Sequence, residues 1–321
     1  MTTVQTGRAA LGAPRGLRSL AGVGMRKRRP SLKTMIVEGL LFLAAASSVA
    51  IMIGIIWTLV IESVHFFENE EVSFLEYFTG TEWTPMFANP QFGVLPLISG
   101  TLVTTLVALL LAIPVGTVVA VWLSEYASYR AREILKPLLE LLSAVPTVVF
   151  GYFALLFVTP LLQKVIPDLP LFNMLSAGLV IGVMIIPYVA SLSEDAMRAV
   201  PQALREGSYA MGATRMQTAW RVIYPGSLSG VTAAYILAIS RALGETMVVA
   251  VAAGSNPNFT FDPREGASTI TAFIVAVSLG DLPHESIGYQ SIFAVGLTLM
   301  VMTLGFNIVG YLLRRRYREA Y

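Results

Sequence analysis

Six stretches of the chain run with almost no charge for the length of a bilayer crossing, at about 35–62, 94–124, 138–163, 169–193, 226–253 and 286–313. A crossing takes roughly 20 apolar residues, at ~1.5 Å rise per residue over a ~30 Å hydrocarbon core. Backbone amides in lipid have no water to bond, so each stretch is expected as a helix. Pro114, Pro146, Pro160 and Pro187 fall inside them. They predict kinks held within a bundle, where neighbours satisfy the freed carbonyls. The fifth stretch is the odd one, because it contains Arg241 and Glu245. The pattern predicts an all-α integral membrane fold with six transmembrane helices in a single domain, 34–321.

Composition agrees. Of 321 residues, 55% are hydrophobic and 13% charged, against about 25% charged in a soluble domain. The positive charges are grouped. They crowd the segment before the first stretch (Arg26, Lys27, Arg28, Arg29), the second link (Arg130, Arg132, Lys136), the fourth link (Arg198, Arg205, Arg215, Arg221) and the end (Arg314, Arg315, Arg316, Arg318). The opposite links hold only Lys164 and Arg264. Six crossings put every basic segment on one side, the cytoplasm, with both termini there; five or seven would scatter them. Residues 1–33 are read as a disordered basic cytoplasmic tail near anionic headgroups. The apolar run that follows is longer than the core of a signal peptide.

On the other side, 62–93 carries six glutamates and no basic residue, and reads as a solvated loop or a docking face for a basic partner. Residues 254–285, rich in Gly, Pro, Asn and Asp, read as an ordered external loop or turn cluster. The chain has no cysteine and two histidines, His65 and His284. Disulfides, thiolate metal sites, cysteine nucleophiles and a histidine metal centre are thereby excluded. A net charge of +2 gives nucleic-acid binding no support.

The link 200–225 is longer than a connection requires. Pro201 suits the first turn of a helix, Gly212 its left-handed end, and Thr214 the cap of a second short helix ending near Tyr224 and Pro225. Leu204, Tyr209 and Met211 are expected to form an apolar knob with Arg205 and Glu206 at its rim, the form in which a short helix docks in a partner's groove.

This stretch resembles the coupling motif of ATP-binding-cassette importer permeases, E-A-A-x3-G-x9-I-x-L-P. Glu206, Gly212, Val222 and Pro225 hold the matching positions, while Gly207, Ser208 and Tyr224 depart from it. Further segments are similar to the C-type permeases of Pst phosphate importers: Glu82-Trp83-Thr84-Pro85, Asn89 to Gly93, Ser124-Glu125-Tyr126, Ser143 to Gly151 and Arg241 to Met247. The basic N-terminal extension lies outside the resemblance. What it implies is a type I importer fold in the bacterial cytoplasmic membrane. The expected partners are an A-type phosphate permease, two ATPase subunits that bind ATP and Mg, and an external phosphate-binding protein. Transport would proceed by alternating access. No GxxxxGK[ST] loop is present, so the chain is expected to hold no cofactor and to be no enzyme itself.

Arg241 and Glu245, four apart, are expected on one helix face. Arginine keeps its charge and its planar fork suits phosphate oxygens, so the pair reads either as part of an anion path or as a self-neutralising structural pair. Ser143, Pro146 and Thr147 form a candidate gate. Thr101, Thr104 and Thr105, the Gly178/Gly182 pair and Asn307 read first as packing positions. Competing readings are a permease for molybdate or sulfate, the sister A-type permease, an integral membrane enzyme, and a free-standing channel or carrier. The last does not account for the 200–225 link.

Overall fold

The computed structural model describes residues 32–87, 89–280, 283 and 286–316. The tail up to residue 31, and His284, lie outside them. By internal contacts the chain divides into two units, 1–55 and 56–321. In the first, residues 32–55 are helical and belong to α1 (Leu32–Glu68). From Gly39 to Ile55 they are uncharged with apolar side chains exposed all round, as suits a helix surrounded by lipid.

The second unit begins with the last turns of α1. These reach α2 (Phe74–Thr79) and an aromatic cluster in which Phe66, Tyr77, Trp83 and Phe92 are all buried, their rings meeting edge to face. Part of the acidic 62–93 link is therefore core. Trp83 and Phe92 form an isolated antiparallel bridge, closing the loop so that Gly93 lies against the backbone of Gly80.

The centre is α3 (Leu95–Val121) packed along α7 (Met174–Arg198). Small residues bring the backbones together. A Cβ on Gly178 would stand 2.9 Å from the Thr104 carbonyl oxygen, and one on Gly182 would stand 2.8 Å from that of Ala108. The packing role expected of Gly178 and Gly182 is what they perform. Pro114 and Pro187 both sit inside continuous helices. α3 ends in a π turn, Trp122–Tyr126.

Two of the six expected crossings are broken. The third is α4 (Tyr129–Ser143) followed by α5 (Thr147–Phe153), a π turn (Ala154–Val158) and α6 (Thr159–Gln163). The axis bends by 84° between Ser143 and Thr147, where Pro146 has no N–H to continue the helix. α4 is amphipathic and has no buried residue. After α8 (Gln202–Ala210) and α9 (Arg215–Thr218) come a π turn (Ala219–Ile223), α10 (Tyr224–Gly226) and, past a 73° bend, α11 (Leu228–Leu243). α11 stops at Gly244 and the chain resumes as α12 (Met247–Ala252). The fifth crossing therefore breaks at its charged pair. The 254–285 segment is not only loop: α13 (Ile270–Ser278) lies in it, and Ile270, Phe273 and Val277 are buried. The last described element is α14 (Ile287–Arg316).

Thr101 serves this arrangement. Its hydroxyl donates to the Leu97 carbonyl at 2.7 Å and accepts from the Ile270 N–H at 3.0 Å, fixing the start of α13 against α3. Asn307 accepts from the Ser240 hydroxyl at 2.7 Å, the interhelical bond expected of it.

Candidate coupling and translocation site

The 200–225 link folds as its capping residues predict. Pro201 caps α8, and Gly212 ends it with φ +83°. Thr214 caps α9 in a reciprocal box with Gln217, their bonds being 3.3 Å and 2.9 Å. Leu204, Tyr209 and Met211 are exposed, Met211 at 89%. Nothing within 4 Å would touch a Cβ at Gly212. Gly212→Ala is therefore expected to cost roughly 1 kcal/mol through backbone strain alone. Faster limited proteolysis of this loop in the variant checks it.

Arg205 departs from its expected place at the rim. Its guanidinium turns inward, with Nη2 donating to Glu125 Oε1 at 3.1 Å and to the Met197 carbonyl at 2.8 Å. Both charged side chains are nearly buried. Beside them Ser208 and Thr218 share a hydroxyl bond of 2.9 Å across the Gly212 turn. Tyr224 meets Tyr235 of α11 at 3.3 Å, and Tyr235 meets Thr117 of α3 at 2.6 Å. Met197, Val200, Ala219, Ile223 and Val231 pack with Ala120 and Val121 beneath. The link is thus seated on the ends of α3 and α7.

Arg241 and Glu245 do not pair. Arg241 lies in the last turn of α11 with its guanidinium 4.3 Å above the Tyr188 ring, a cation–π contact with α7. Its Nε is buried without a hydrogen-bond partner among the described residues. Glu245 sits in the break, buried, and its carboxylate accepts from the Val248 N–H at 3.4 Å. Its carbonyl accepts from the Thr271 hydroxyl at 2.7 Å. The expectation of one shared helix face fails because the helix ends between the two residues.

α5 and α12, the helices that follow the bend and the break, lie against one another. Gly151 of α5 approaches α12 so closely that a Cβ there would meet Val251 at 3.0 Å and the Met247 carbonyl oxygen at 3.2 Å. Ser143 lines an open cavity of ≈ 190 Å³ with Glu140, Pro187, Tyr188, Ser191 and Leu192. The candidate gate residue Ser143 therefore opens on the ring that carries Arg241. Pro146 and Thr147 start α5 behind it.

One site was missed by the sequence reading. Glu194 of α7 is 1% exposed, with Lys136 Nζ at 2.7 Å, Arg198 at 3.7 Å and Arg132 at 3.9 Å. Lys136 also bonds Asp195, and Ser191 donates to Glu140 at 3.3 Å. These contacts strap α4 to α7. The only signal in the sequence was an acid four residues ahead of Arg198 at the end of an apolar run. In the 254–269 segment, Arg264 grips both carboxylate oxygens of Asp262 and lowers its pKa to about 2.

These features define a multi-pass membrane permease with an outward-turned helical knob seated on its transmembrane core. Residues 112–319 match the family described as binding-protein-dependent transport system inner membrane component, and the chain belongs to that family. It is a protein of the cytoplasmic membrane. It is 34% identical over 283 residues to the probable ABC transporter permease protein YqgH of Bacillus subtilis, covering 88% of this chain and 90% of that one. It is 33% identical over 277 residues to the phosphate transport system permease protein PstC 1 of Mycobacterium tuberculosis, covering 75% and 82%. Among solved structures, the fold is shared with a chain of the bacterial alginate ABC transporter, at TM-score 0.63 and 16% identity over 91% of this chain and 100% of that one. It is also shared with a chain of the inward-facing MetNI methionine ABC transporter, at TM-score 0.52 and 20% identity over 71% and 95%.

Proposed function

We propose that this chain is the C-type permease subunit of an importer that carries inorganic phosphate into the cytoplasm. It pairs with an A-type permease, two ATPase subunits hydrolyse ATP beneath it, and an external binding protein delivers the anion. The chain holds no cofactor and does no chemistry of its own. Its basic links face the cytoplasm, so the 200–225 knob meets the ATPases through Leu204, Glu206, Tyr209 and Met211. The phosphate permease relatives support the choice of cargo.

The observation that carries the reading is Arg241. A guanidinium whose Nε lacks a partner, held on the Tyr188 ring that lines an open cavity between α4 and α7, is a donor awaiting an anion. Glu245, close by in the break, keeps that donor from binding too firmly for passage.

Arg241→Met should lower uptake of labelled phosphate about 10- to 100-fold in vesicles holding the assembled complex, the loss of one charge-assisted bond. Glu245→Gln keeps an acceptor for Val248 and should slow uptake while assembly persists; unchanged kinetics would reduce Glu245 to a packing residue. Sulfate and molybdate offered as competitors test the cargo. If either displaces phosphate at equal concentration, the chain serves a broader oxyanion importer.

A further inference from the structure

We infer that Glu125 and Arg205 form the tie through which motion of α8 reaches the transmembrane core, so that Glu125 is a positioning residue for coupling although it is not part of the docking knob. The inference rests on the function proposed above.

Three observations place the tie. First, Arg205 is the one residue of the 202–210 helix that the structure shows reaching both core helices: Glu125 on the π turn that ends α3, and the Met197 carbonyl in the last turns of α7. Second, the pair is shielded. Arg205 is 13% and Glu125 5% exposed, and a charge pair withdrawn from water resists screening and holds its geometry. Ser124 donates a further bond to the same Glu125 oxygen at 2.7 Å, which orients the carboxylate. Third, the outer face of α8 makes little contact with the rest of the chain. Leu204, Tyr209 and Met211 are exposed, and Gly207 has nothing within 4 Å of a Cβ position.

A helix joined so lightly to its own chain cannot push the core through side-chain packing. A force applied to its knob must pass through what does hold it. Besides the backbone at its two ends, those holds are the Arg205 bonds on one side and the Ser208–Thr218 bond to α9 on the other. One Arg205 bond runs into the turn that ends α3 and the other into α7, the two helices packed together at the centre of the fold. The remaining route, from Tyr224 to Tyr235 to Thr117, enters α11 as well as α3. Cutting the Arg205 tie should therefore leave the docking surface intact and the ATPases attached, while the stroke is lost.

The test uses the full complex with its binding protein in proteoliposomes, reading phosphate uptake and ATP hydrolysis together. Wild type must show uptake that depends on ATP and binding protein; its absence would defeat the proposed function rather than the tie. Given that, Glu125→Gln and Arg205→Lys should retain the ATPase subunits and at least about half of the hydrolysis, while phosphate moved per ATP falls about tenfold, as expected for loss of a charge-assisted bond. The chain has no cysteine, so Glu125→Cys with Arg205→Cys gives a unique thiol pair. This variant should be uncoupled when reduced and should recover coupling when a short bifunctional thiol reagent joins the two positions. An unchanged ratio of uptake to hydrolysis in all variants overturns the tie. So does parallel loss of both activities, or loss of assembly, since either would make the pair a folding element.

Discussion

Glu194→Ala should lower stability by up to about 3 kcal/mol, because it takes away the buried carboxylate that three partly exposed cations share. Lys136, Arg132 and Arg198 all point at a carboxylate that is 1% exposed. Asp195 can satisfy only Lys136, and that from a mostly exposed position. α4 has no buried residue of its own, so these ion pairs are a large share of what holds it to α7. The variant in detergent should melt several degrees lower, and protease should cut near the α4–α5 bend. Pairing it with Arg132→Met should recover part of the loss, because Arg132 has no other carboxylate partner among the described residues. A melting temperature equal to wild type would mean that α4 is held by other forces.

Gly100→Ala should be comparably damaging for the opposite reason, crowding. A Cβ there would stand 2.4 Å from the Ser268 carbonyl oxygen and 3.2 Å from its carbon. The obstacle is backbone, which has no rotamer to change, so an overpacking cost of about 3 kcal/mol is expected. The damage would fall on the 254–269 segment and the start of α13, where Thr101 holds the Ile270 N–H. Gly207→Ala is the contrast. Its Cβ meets nothing and α8 gains up to about 1 kcal/mol of helix propensity. Thermal denaturation of the two alanine variants side by side should move in opposite directions. If both move alike, the close approach at Gly100 is not what fixes α13.

The parts of this fold that a reader can take from the sequence are those written locally. Long uncharged runs give the crossings, because lipid permits no other form. The caps at Pro201, Gly212 and Thr214 give the short helices, because each acts within its own turn. The breaks were harder. Gly244 to Thr246 interrupts a run whose flanks are equally apolar, so hydropathy averages across it, and Arg241 and Glu245 look like neighbours on a face they do not share. α13 hid among glycines and prolines because its nine residues are too few to register as a crossing, and its anchor, Thr101, lies far away in the chain. Arg205 looked like a rim residue since the partner that turns it inward is 80 positions earlier. Glu194 was missed for the same reason: two of its cations belong to α4, and their meeting is set by the 84° bend.

The π turns at Trp122–Tyr126, Ala154–Val158 and Ala219–Ile223 have a consequence for how this chain tolerates change. Those at Ala154–Val158 and Ala219–Ile223 each absorb one surplus residue inside a helix and leave the flanking segments in phase, while that at Trp122–Tyr126 widens the last turn of α3. α3 can therefore keep its small residues turned to α7 along its whole length and still present Glu125 sideways at its end. Removal of a single residue within such a turn would close an ordinary helical turn and spare the packing on both sides. What it would erase is the sideways presentation itself. At these places the chain can lose a letter and keep its architecture while losing its grip on the neighbouring segment.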